Sequence, residues 1–245
     1  MSWGNTGEWI LYPLPMRMWG SRNLRDALPH GKPAFIALLK LEYINGKTEE
    51  IVTDDSWRYS YGPIRRNNGY LGEVYDGRKE IKGWEKIGFN DKDWNESIEV
   101  QGPGGILQKS FFPPIQIRDV KKPVAIKFTD DNKYIVDMGV NYTGLYDIHL
   151  KGKAGDTITF RFGERLHEDG KLNPMTTVAG QIKEAGRGGP GSPVIAWQTD
   201  SYIFGEDTDV WYSPEFTYHT YRYMEISGLD KAPQISDIKG IALNT

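Results

Sequence analysis

The chain has 245 residues, enough for one large all-β domain or for two domains of ordinary size. Hydrophobic residues make up 38% of it and aromatic residues 13%, so a sizeable core can form. The formal net charge is −3 with both signs mixed and no block of Lys and Arg, so nucleic-acid binding, which needs a basic stripe, is not expected. Cysteine is absent, which excludes disulfides and thiolate metal sites, and no apolar run approaches the roughly 18 residues of a membrane-spanning helix.

The first twenty residues lack the basic segment and the clean apolar stretch of a signal peptide. Their sequence leaves the compartment open, since a chain without cysteine suits both the bacterial periplasm and the cytoplasm. Three tryptophans, Trp3, Trp9 and Trp19, make this segment too apolar for a free tail. We therefore expect it to pack on another part of the chain or on a piece that is missing from it.

Residues 34–44 form the first predicted strand, which begins as an apolar run and then alternates. It ends at Asn45-Gly46, the preferred residue pair of a two-residue hairpin turn. The sequence therefore predicts a hairpin, with residues 50–53 as the return strand.

Short β-branched or aromatic runs, bounded by turn residues, continue toward the end of the chain. The further predicted strands are residues 115–120, 124–128, 134–138, 144–150, 157–162, 201–204, 215–219 and 221–226. Almost no segment keeps the 3.6-residue period of a helix, apart from one predicted helical turn at residues 91–96, capped by Asp91. Many short strands at this spacing predict an all-β protein of the sandwich type.

Two breaks rich in glycine and proline, at residues 101–105 and 112–114, separate the predicted strands into two groups. They predict two domains, residues 1–110 and residues 111–245. A further irregular stretch, residues 171–196, is long enough to indicate either a functional loop or a disordered one.

Two kinds of side chain in the sequence could bind a metal ion, the histidines and a group of oxygen ligands. The histidines are scattered, at His30, His149, His167 and His219. None forms a close pair at a recognisable ligand spacing, so a zinc site is not predicted. Calcium takes oxygen ligands from loops, and four such side chains lie close together in the sequence: Asn67, Asn68, Glu73 and Asp76. The alternative is that these side chains only satisfy the backbone of their own turn.

Paired carboxylates are the second chemical signal, because two acids placed across a sugar can cleave a glycosidic bond. Candidates among the 33 acidic residues are Glu73, Asp76, Asp137, Glu164, Glu168 and Asp169. Because so many acidic residues are available, any one pair of them is weak evidence for a catalytic site. Glu73 and Asp76 are three residues apart on one polar segment, and residues that close rarely reach the separation of about 5–9 Å that hydrolysis requires.

Aromatic residues are the remaining signal, with eight tryptophans and fourteen tyrosines. Their flat rings favour carbohydrate binding, in which a ring stacks on the C–H face of a sugar. The alternative is structural, because aromatic residues are also preferred in strands and fill cores.

Several motifs in fixed order resemble one family. The segments 61–64 (YGPI), 72–78 (GEVYDGR), 83–84 (GW) and 89–94 (FNDKDW) resemble the N-terminal module of bacterial α-L-rhamnosidases, in glycoside hydrolase family 78. The second half resembles the concanavalin-like β-sandwich of the same family, in segments 112–115 (FPPI), 136–144 (VDMGVNYTG), 155–158 (GDTI), 162–166 (FGERL), 168–170 (EDG), 214–219 (PEFTYH) and 221–226 (YRYMEI). Each motif is weak alone, but their order from residue 34 to residue 226 is specific.

The resemblance implies two antiparallel β-sandwich domains, of jelly-roll or concanavalin-like type, with the first domain incomplete at its start. In this family catalysis takes place in a separate C-terminal (α/α)6 barrel, and the chain stops at Thr245, where that barrel would begin. No catalytic residue is carried over, because no position of this chain matches one.

The resemblance also implies a carbohydrate site, since some relatives hold rhamnose in the N-terminal module with the help of calcium. The nearest matching positions, with Trp84 added as a carbohydrate-binding candidate, are Asn67, Asn68, Glu73 and Asp76. Asn68 and Asp76 are the predicted calcium ligands, although asparagine in place of an acid lowers the ligand charge and weakens calcium binding. No other cofactor is expected.

Three functions follow as hypotheses. The leading one is the non-catalytic β-sandwich part of an α-L-rhamnosidase-like glycoside hydrolase, with the barrel on a missing segment and a rhamnose-containing glycan as ligand. The alternative is a stand-alone carbohydrate-binding module. The third is a complete small two-carboxylate glycosidase. Neither nucleic acid nor a membrane is an expected partner.

Overall fold

The computed structural model describes residues 34–69, 71–101, 106, 109, 111–178 and 197–245. The tryptophan segment 3–19, the centre of the break at residues 101–105 and most of residues 171–196 lie outside them. In the described ranges the strands are β1 (Leu38–Glu42), β2 (Thr48–Val52), β3 (Arg58–Tyr59), β4 (Ile64–Asn68), β5 (Gly72–Asp76), β6 (Asn95–Glu96), β7 (Gln116–Lys121), β8 (Ala125–Phe128), β9 (Lys133–Gly152), β10 (Thr157–Gly163), β11 (Arg165–Leu166), β12 (Leu172–Asn173), β13 (Thr199–Ile203), β14 (Thr208–Tyr212), β15 (His219–Ser227) and β16 (Ile238–Asn244).

Helical structure in the described ranges is limited to single 3-10 turns at Gly77–Lys79, Pro174–Thr176 and Ile235–Asp237. A search of those residues for a helix of the length and hydropathy needed to cross a membrane found none. The prediction of an all-β protein is confirmed.

One large curled sheet dominates the fold, in the strand order β4-β5-β13-β10-β15-β9-β16-β7. The 20-residue β9 is its axis. On one edge β9 pairs first with β15 and then with β14, and on the other edge first with β8 and then with β16. Because its two halves pair with different strands, β9 takes part in both layers of the sandwich.

The core lies between these layers and is built from alternating strand positions. In β9 the residues Tyr142, Tyr146, Ile148 and Leu150 are buried, whereas their chain neighbours are more exposed. This alternation is what a strand with one buried face requires. Each fully buried apolar side chain stabilises the fold by about 1.5–3 kcal/mol, and aromatic rings from β10, β13, β14 and β15 complete the cluster.

The predicted hairpin is confirmed, with β1 paired to β2. Its turn is longer than the predicted two residues, because the Tyr43 N–H donates to the Lys47 carbonyl oxygen and residues 44–46 form the loop. Two strands predicted at residues 134–138 and 144–150 are instead one strand, β9. Gly139 has a φ of 77° within this strand. This local irregularity lets the strand continue through the motif at residues 136–144.

Two other local predictions are wrong. At residues 91–96 a single turn is present, in which the Trp94 N–H donates to the Asp91 carbonyl oxygen. It is not a helical turn capped by the Asp91 side chain, since the Asn90 side chain accepts the Lys92 N–H and Asn95–Glu96 forms β6. Residues 215–218 are not a strand, since β15 begins at His219. The reason lies in the backbone N–H of Glu215, which donates to a buried side chain, Glu73, instead of a neighbouring strand.

Strands β4 and β5 join the large sheet, although they lie far from its other strands in the sequence. β5 pairs in parallel with β13, with Val74 opposite Ser201 and Asp76 opposite Ile203. Gly205, two residues after β13, lies against the 3-10 turn that follows β5. A Cβ added to Gly205 would sit 2.3 Å from the Gly77 carbonyl oxygen. The division into residues 1–110 and 111–245 stays a prediction, but strands from both sides of it share one sheet.

Replacing Gly46 with alanine is expected to weaken the β1–β2 hairpin by about 1 kcal/mol, because Gly46 has a φ of 80° and the left-handed conformation is costly for residues with a Cβ. Amide hydrogen exchange within β1 and β2 is expected to become about fivefold faster. Gly62 is the control, since its φ is not positive and an added Cβ would meet nothing within 4 Å. Equal acceleration in G46A and G62A would contradict this account.

Candidate functional site

Strand β5 carries Glu73 into the interior. Gly72 begins the strand with a φ of 82°, and an added Cβ there would lie 2.4 Å from an Asp200 carboxylate oxygen, so the position requires glycine. Glu73 itself is fully buried. Asn67 is its partner across the β4–β5 pair, with the amide nitrogen 3.5 Å from the carboxylate. The Gly-Glu motif therefore places an acid beneath the surface.

Three further donors surround the Glu73 carboxylate. The Tyr212 hydroxyl donates to Oε1 at 3.0 Å, and the backbone N–H of Glu215 donates to Oε2 at 3.1 Å. The backbone N–H of Phe216 also donates to it. Burial nevertheless raises the pKa of Glu73 from 4.5 to about 7, with a smaller contribution from the negative charge of Asp200, and the hydrogen bonds offset only part of this rise.

Asp200, in β13, is a second fully buried acid. Its Oδ1 accepts the Glu73 backbone N–H at 2.8 Å, and its Oδ2 accepts the Tyr146 hydroxyl at 2.9 Å. His219 Nε2 also lies 2.9 Å from Oδ2, and because a carboxylate accepts, this nitrogen donates. Burial raises the pKa of Tyr146 and of Tyr212 well above 10, so both phenols remain donors. We call these five residues the buried polar network: Glu73, Tyr146, Asp200, Tyr212 and His219.

His219 connects the buried polar network to the surface. Its ring stacks on Phe162, with the ring centroids 3.9 Å apart and the planes 14° from parallel. Its Nδ1 lies 3.0 Å from the Gln198 side-chain oxygen. Stacking and two polar contacts hold the imidazole in one orientation, and they fix Gln198 in turn.

A polar cleft of about 490 Å³ opens where Gln198 reaches the surface. Its lining residues are Gly69, Thr176, Thr177, Val178, Gln198, Tyr218 and Thr220. Tyr218 is 54% exposed, so its ring is open to a ligand. The volume lies in the range of small-molecule sites, and hydroxyl, amide and phenol groups can hydrogen-bond a neutral polar molecule.

Asp76, a predicted sugar and calcium ligand, is held by Arg78. The guanidinium donates to both carboxylate oxygens, at 2.8 and 2.9 Å, and the Arg78 backbone N–H donates as well. Hydrogen bonding to Arg78 lowers the pKa of Asp76. Three positions along β5 separate Asp76 from Glu73, so the two side chains lie on opposite faces of the strand.

Calcium binding therefore gains no support from Asp76, whose oxygens are occupied by a cation already. Asn68 ends β4 opposite Gly72. Among the residues that the structure describes, no group of three or more acids, histidines or cysteines is arranged to hold a metal ion. The calcium site at Asn68 and Asp76 stays a prediction.

Trp84 follows the 3-10 turn Gly77–Lys79 and is 57% exposed. Its ring is therefore open, as a sugar-binding ring must be. Phe89 and Trp94 are partly buried and pack on each other with ring centroids 5.6 Å apart. These two rings, and not Trp84, tie this segment down.

Three of the other four candidate acids have structural partners. Asp137 makes two hydrogen bonds with Arg222, at 2.9 and 3.0 Å. Asp169 accepts the Lys171 backbone N–H in the turn at residues 168–170. Glu164 accepts from the Asn141 amide at 3.3 Å, on the surface. Glu168 is exposed in the same turn as Asp169.

Four residues of this region were not predicted from the sequence: Gln198, Asp200, Tyr218 and His219. A signal for Asp200 existed, because it occupies the same face of its strand as Tyr202, a buried position where a charge is unexpected. For Gln198 and Tyr218 no local pattern points to a cleft.

Comparison with known proteins identifies the two halves of the chain. Residues 16–119 match the alpha-L-rhamnosidase N-terminal domain, and residues 127–244 match the bacterial alpha-L-rhamnosidase concanavalin-like domain. An alpha-L-rhamnosidase of Alteromonas sp. (strain LOR) is 32% identical over 222 residues, which are 88% of this chain and 22% of that protein. One of Streptomyces avermitilis is 29% identical over 234 residues, 93% of this chain and 21% of that protein.

Solved structures agree. An alpha-L-rhamnosidase from Dictyoglumus thermophilum superimposes with a TM-score of 0.74 at 37% identity, over 86% of this chain and 22% of its own. The Streptomyces avermitilis enzyme, crystallised with L-rhamnose, gives a TM-score of 0.76 at 27% identity, over 88% of this chain and 19% of its own. The chain thus spans about a fifth of the length of these relatives.

Proposed function

The chain belongs to the α-L-rhamnosidase family, whose N-terminal and concanavalin-like domains it carries, and on that premise we propose that it is the non-catalytic β-sandwich part of such a glycoside hydrolase. The parent activity would be removal of terminal α-L-rhamnose from glycans. Within it, this part packs against the catalytic domain and holds a carbohydrate in the polar cleft.

The cleft is the observation that supports carbohydrate binding. It combines an open tyrosine ring, Tyr218, with hydroxyl and amide groups, and none of its described lining residues is charged. A ring suits the C–H face of a sugar, and the polar groups suit its hydroxyls. Gln198 is held in place by His219, so little side-chain entropy is lost when a ligand binds.

A complete glycosidase is not supported by the acids of the cleft region. Glu73 is fully buried, and its partner in the predicted pair, Asp76, is bound to Arg78 on the other face of β5. Hydrolysis needs two carboxyl groups that flank the same glycosidic bond, and a fully buried carboxyl group cannot take that place. We therefore assign no catalytic role to this pair.

Exposed apolar side chains support the packing role. Ile117 and Val120 in β7, Val124 in the following turn and Phe128 in β8 are each more than half exposed. Exposed apolar groups gathered in one region commonly mark an interface. The relatives are more than four times as long as this chain, and their remaining sequence can supply the surface that covers these side chains.

Calorimetric titration with methyl α-L-rhamnopyranoside tests the carbohydrate role, and binding in the millimolar range or tighter is expected. Tyr218→Ala is expected to weaken it about tenfold, because the stacking ring is lost. Trp84→Ala is the matched control, another exposed aromatic residue outside the cleft.

The opposite result, loss with W84A and none with Y218A, would place the sugar at the segment predicted from the sequence. Titration in calcium and then in a chelator tests whether Asn68 and Asp76 are calcium ligands. If they are, sugar binding is expected to be lost in the chelator. Turnover of a chromogenic α-L-rhamnoside by this chain alone would contradict the non-catalytic role.

A further inference from the structure

The polar cleft does not end at its lining residues, because Thr220 continues it onto β9. Thr220 is paired with Thr143 across the β15–β9 ladder, and their hydroxyl oxygens are 2.7 Å apart. Thr143 is exposed. Hydroxyl groups therefore follow one another from the cleft to the middle of β9.

Asn141 extends this row on the same strand. It lies two residues before Thr143, so both side chains are on the same exposed face of β9, about 7 Å apart along the strand. The intervening residue, Tyr142, is buried on the opposite face. Asn141 thus lies one strand repeat beyond the last hydroxyl of the cleft.

Glu164 closes a second connection between the cleft and Asn141. Its backbone N–H donates to the hydroxyl of Thr176, a cleft residue, at 2.9 Å. Its carboxylate accepts the Asn141 amide at 3.3 Å. Glu164, directly after β10, therefore links the cleft to Asn141 by two hydrogen bonds, and β9 makes the other connection through the pairing of Thr143 with Thr220.

The extension has no aromatic ring on which a sugar could stack, so its chemistry suits a sugar unit that is held by hydrogen bonds. A carboxylate with two oxygens accepts from vicinal hydroxyl groups, and the amide and the two threonines both donate and accept. A negative charge at Glu164 disfavours an acidic sugar beside it. The cleft has the aromatic ring, and the extension has only polar groups.

We propose that Asn141, Thr143 and Glu164 form a second sugar subsite next to the polar cleft, so that the ligand is a neutral oligosaccharide of two or more units and not a single sugar. This inference rests on the proposed function, because the first unit is the one held at Tyr218. The cleft takes one end of the ligand, and the second subsite takes the adjoining unit.

The test compares methyl α-L-rhamnopyranoside with a neutral α-L-rhamnosyl disaccharide by calorimetry on the full chain. The disaccharide is expected to bind roughly tenfold tighter. Glu164→Ala and Asn141→Ala are expected to reduce its affinity to that of the monosaccharide and to leave the monosaccharide affinity unchanged. Glu168→Ala is the matched control, because Glu168 is an exposed acid in the neighbouring turn.

The outcomes separate this inference from the function on which it rests. If the monosaccharide binds and the disaccharide binds no tighter, the second subsite is wrong and the carbohydrate role stands. Equal loss of both ligands in E164A and N141A, with unchanged thermal unfolding, also overturns the subsite, because a local effect on the second unit is required. If neither ligand binds to the wild-type chain, the proposed carbohydrate role fails with it.

Discussion

Replacing Asp200 with alanine is expected to lower the free energy of unfolding by about 3–5 kcal/mol. Asp200 is fully buried and accepts from three groups, the Glu73 backbone, Tyr146 and His219. Alanine leaves all three donors without this acceptor inside the core, where no water replaces it. Urea denaturation followed by tryptophan fluorescence measures the loss, and the melting temperature is expected to fall by roughly 10 °C or more.

Asp200→Asn keeps the prediction testable should the alanine variant fail to fold. Asparagine retains one acceptor oxygen but turns an NH₂ group toward a donor, so an intermediate loss of about 1–3 kcal/mol is expected. Asp230 is exposed, and Asp230→Ala serves as the control, with a change within about 0.5 kcal/mol. A loss as small as that in D200A would mean that the buried polar network contributes little to stability.

Glu73 is expected to make the fold less stable as the pH rises from about 4 to 8, by about 3 kcal/mol in total. Its pKa is about 7 in the folded chain against 4.5 for an ordinary glutamate, so between these values the folded state binds more protons than the unfolded state. The unfavourable contribution is absent below pH 4.5 and complete above pH 7. Urea denaturation across this range, compared between the wild type and Glu73→Gln, isolates it.

Glutamine cannot ionise, so the E73Q curve is expected to lack this fall while keeping the pH dependence of every other group. The informative quantity is the difference between the two curves, because the amide also changes the hydrogen bonds from Tyr212 and Glu215. Glu85 is exposed, and Glu85→Gln is expected to run parallel to the wild type. Parallel curves for E73Q and the wild type would contradict a raised pKa of Glu73 in the folded chain.

Most of the fold could be predicted from local sequence, because strands show there as alternation of apolar and polar residues between turn residues. The Asn45-Gly46 turn and alternation in residues 157–162 and 221–226 gave strands close to those observed. The failures have non-local causes. Residues 215–218 look like a strand, yet Glu73, more than 140 residues away in the chain, takes the backbone N–H that a strand would have used.

The candidate site was only partly within reach of the sequence. Glu73 was singled out, but as an exposed ligand, because nothing local shows that Asp200 and Tyr212 enclose it. The resemblance supplied the family and directed attention to Asn67 and Asp76. It could not show that Asp76 is bound to Arg78, or that Gln198 and Tyr218 meet Gly69 at one cleft.

The parallel pairing of β5 with β13 constrains how the two halves of this chain can evolve. Sequence comparison divides the chain into two units, yet β5 from the first pairs with β13 of the second. The Glu73 backbone N–H also donates to the Asp200 carboxylate across this junction. Recombination near residue 120 would pair a β5 from one parent with a β13 from another. The two halves can therefore not be exchanged independently between relatives. A substitution at Gly72, Glu73 or Asp200 has to be matched by a compatible residue in the other half.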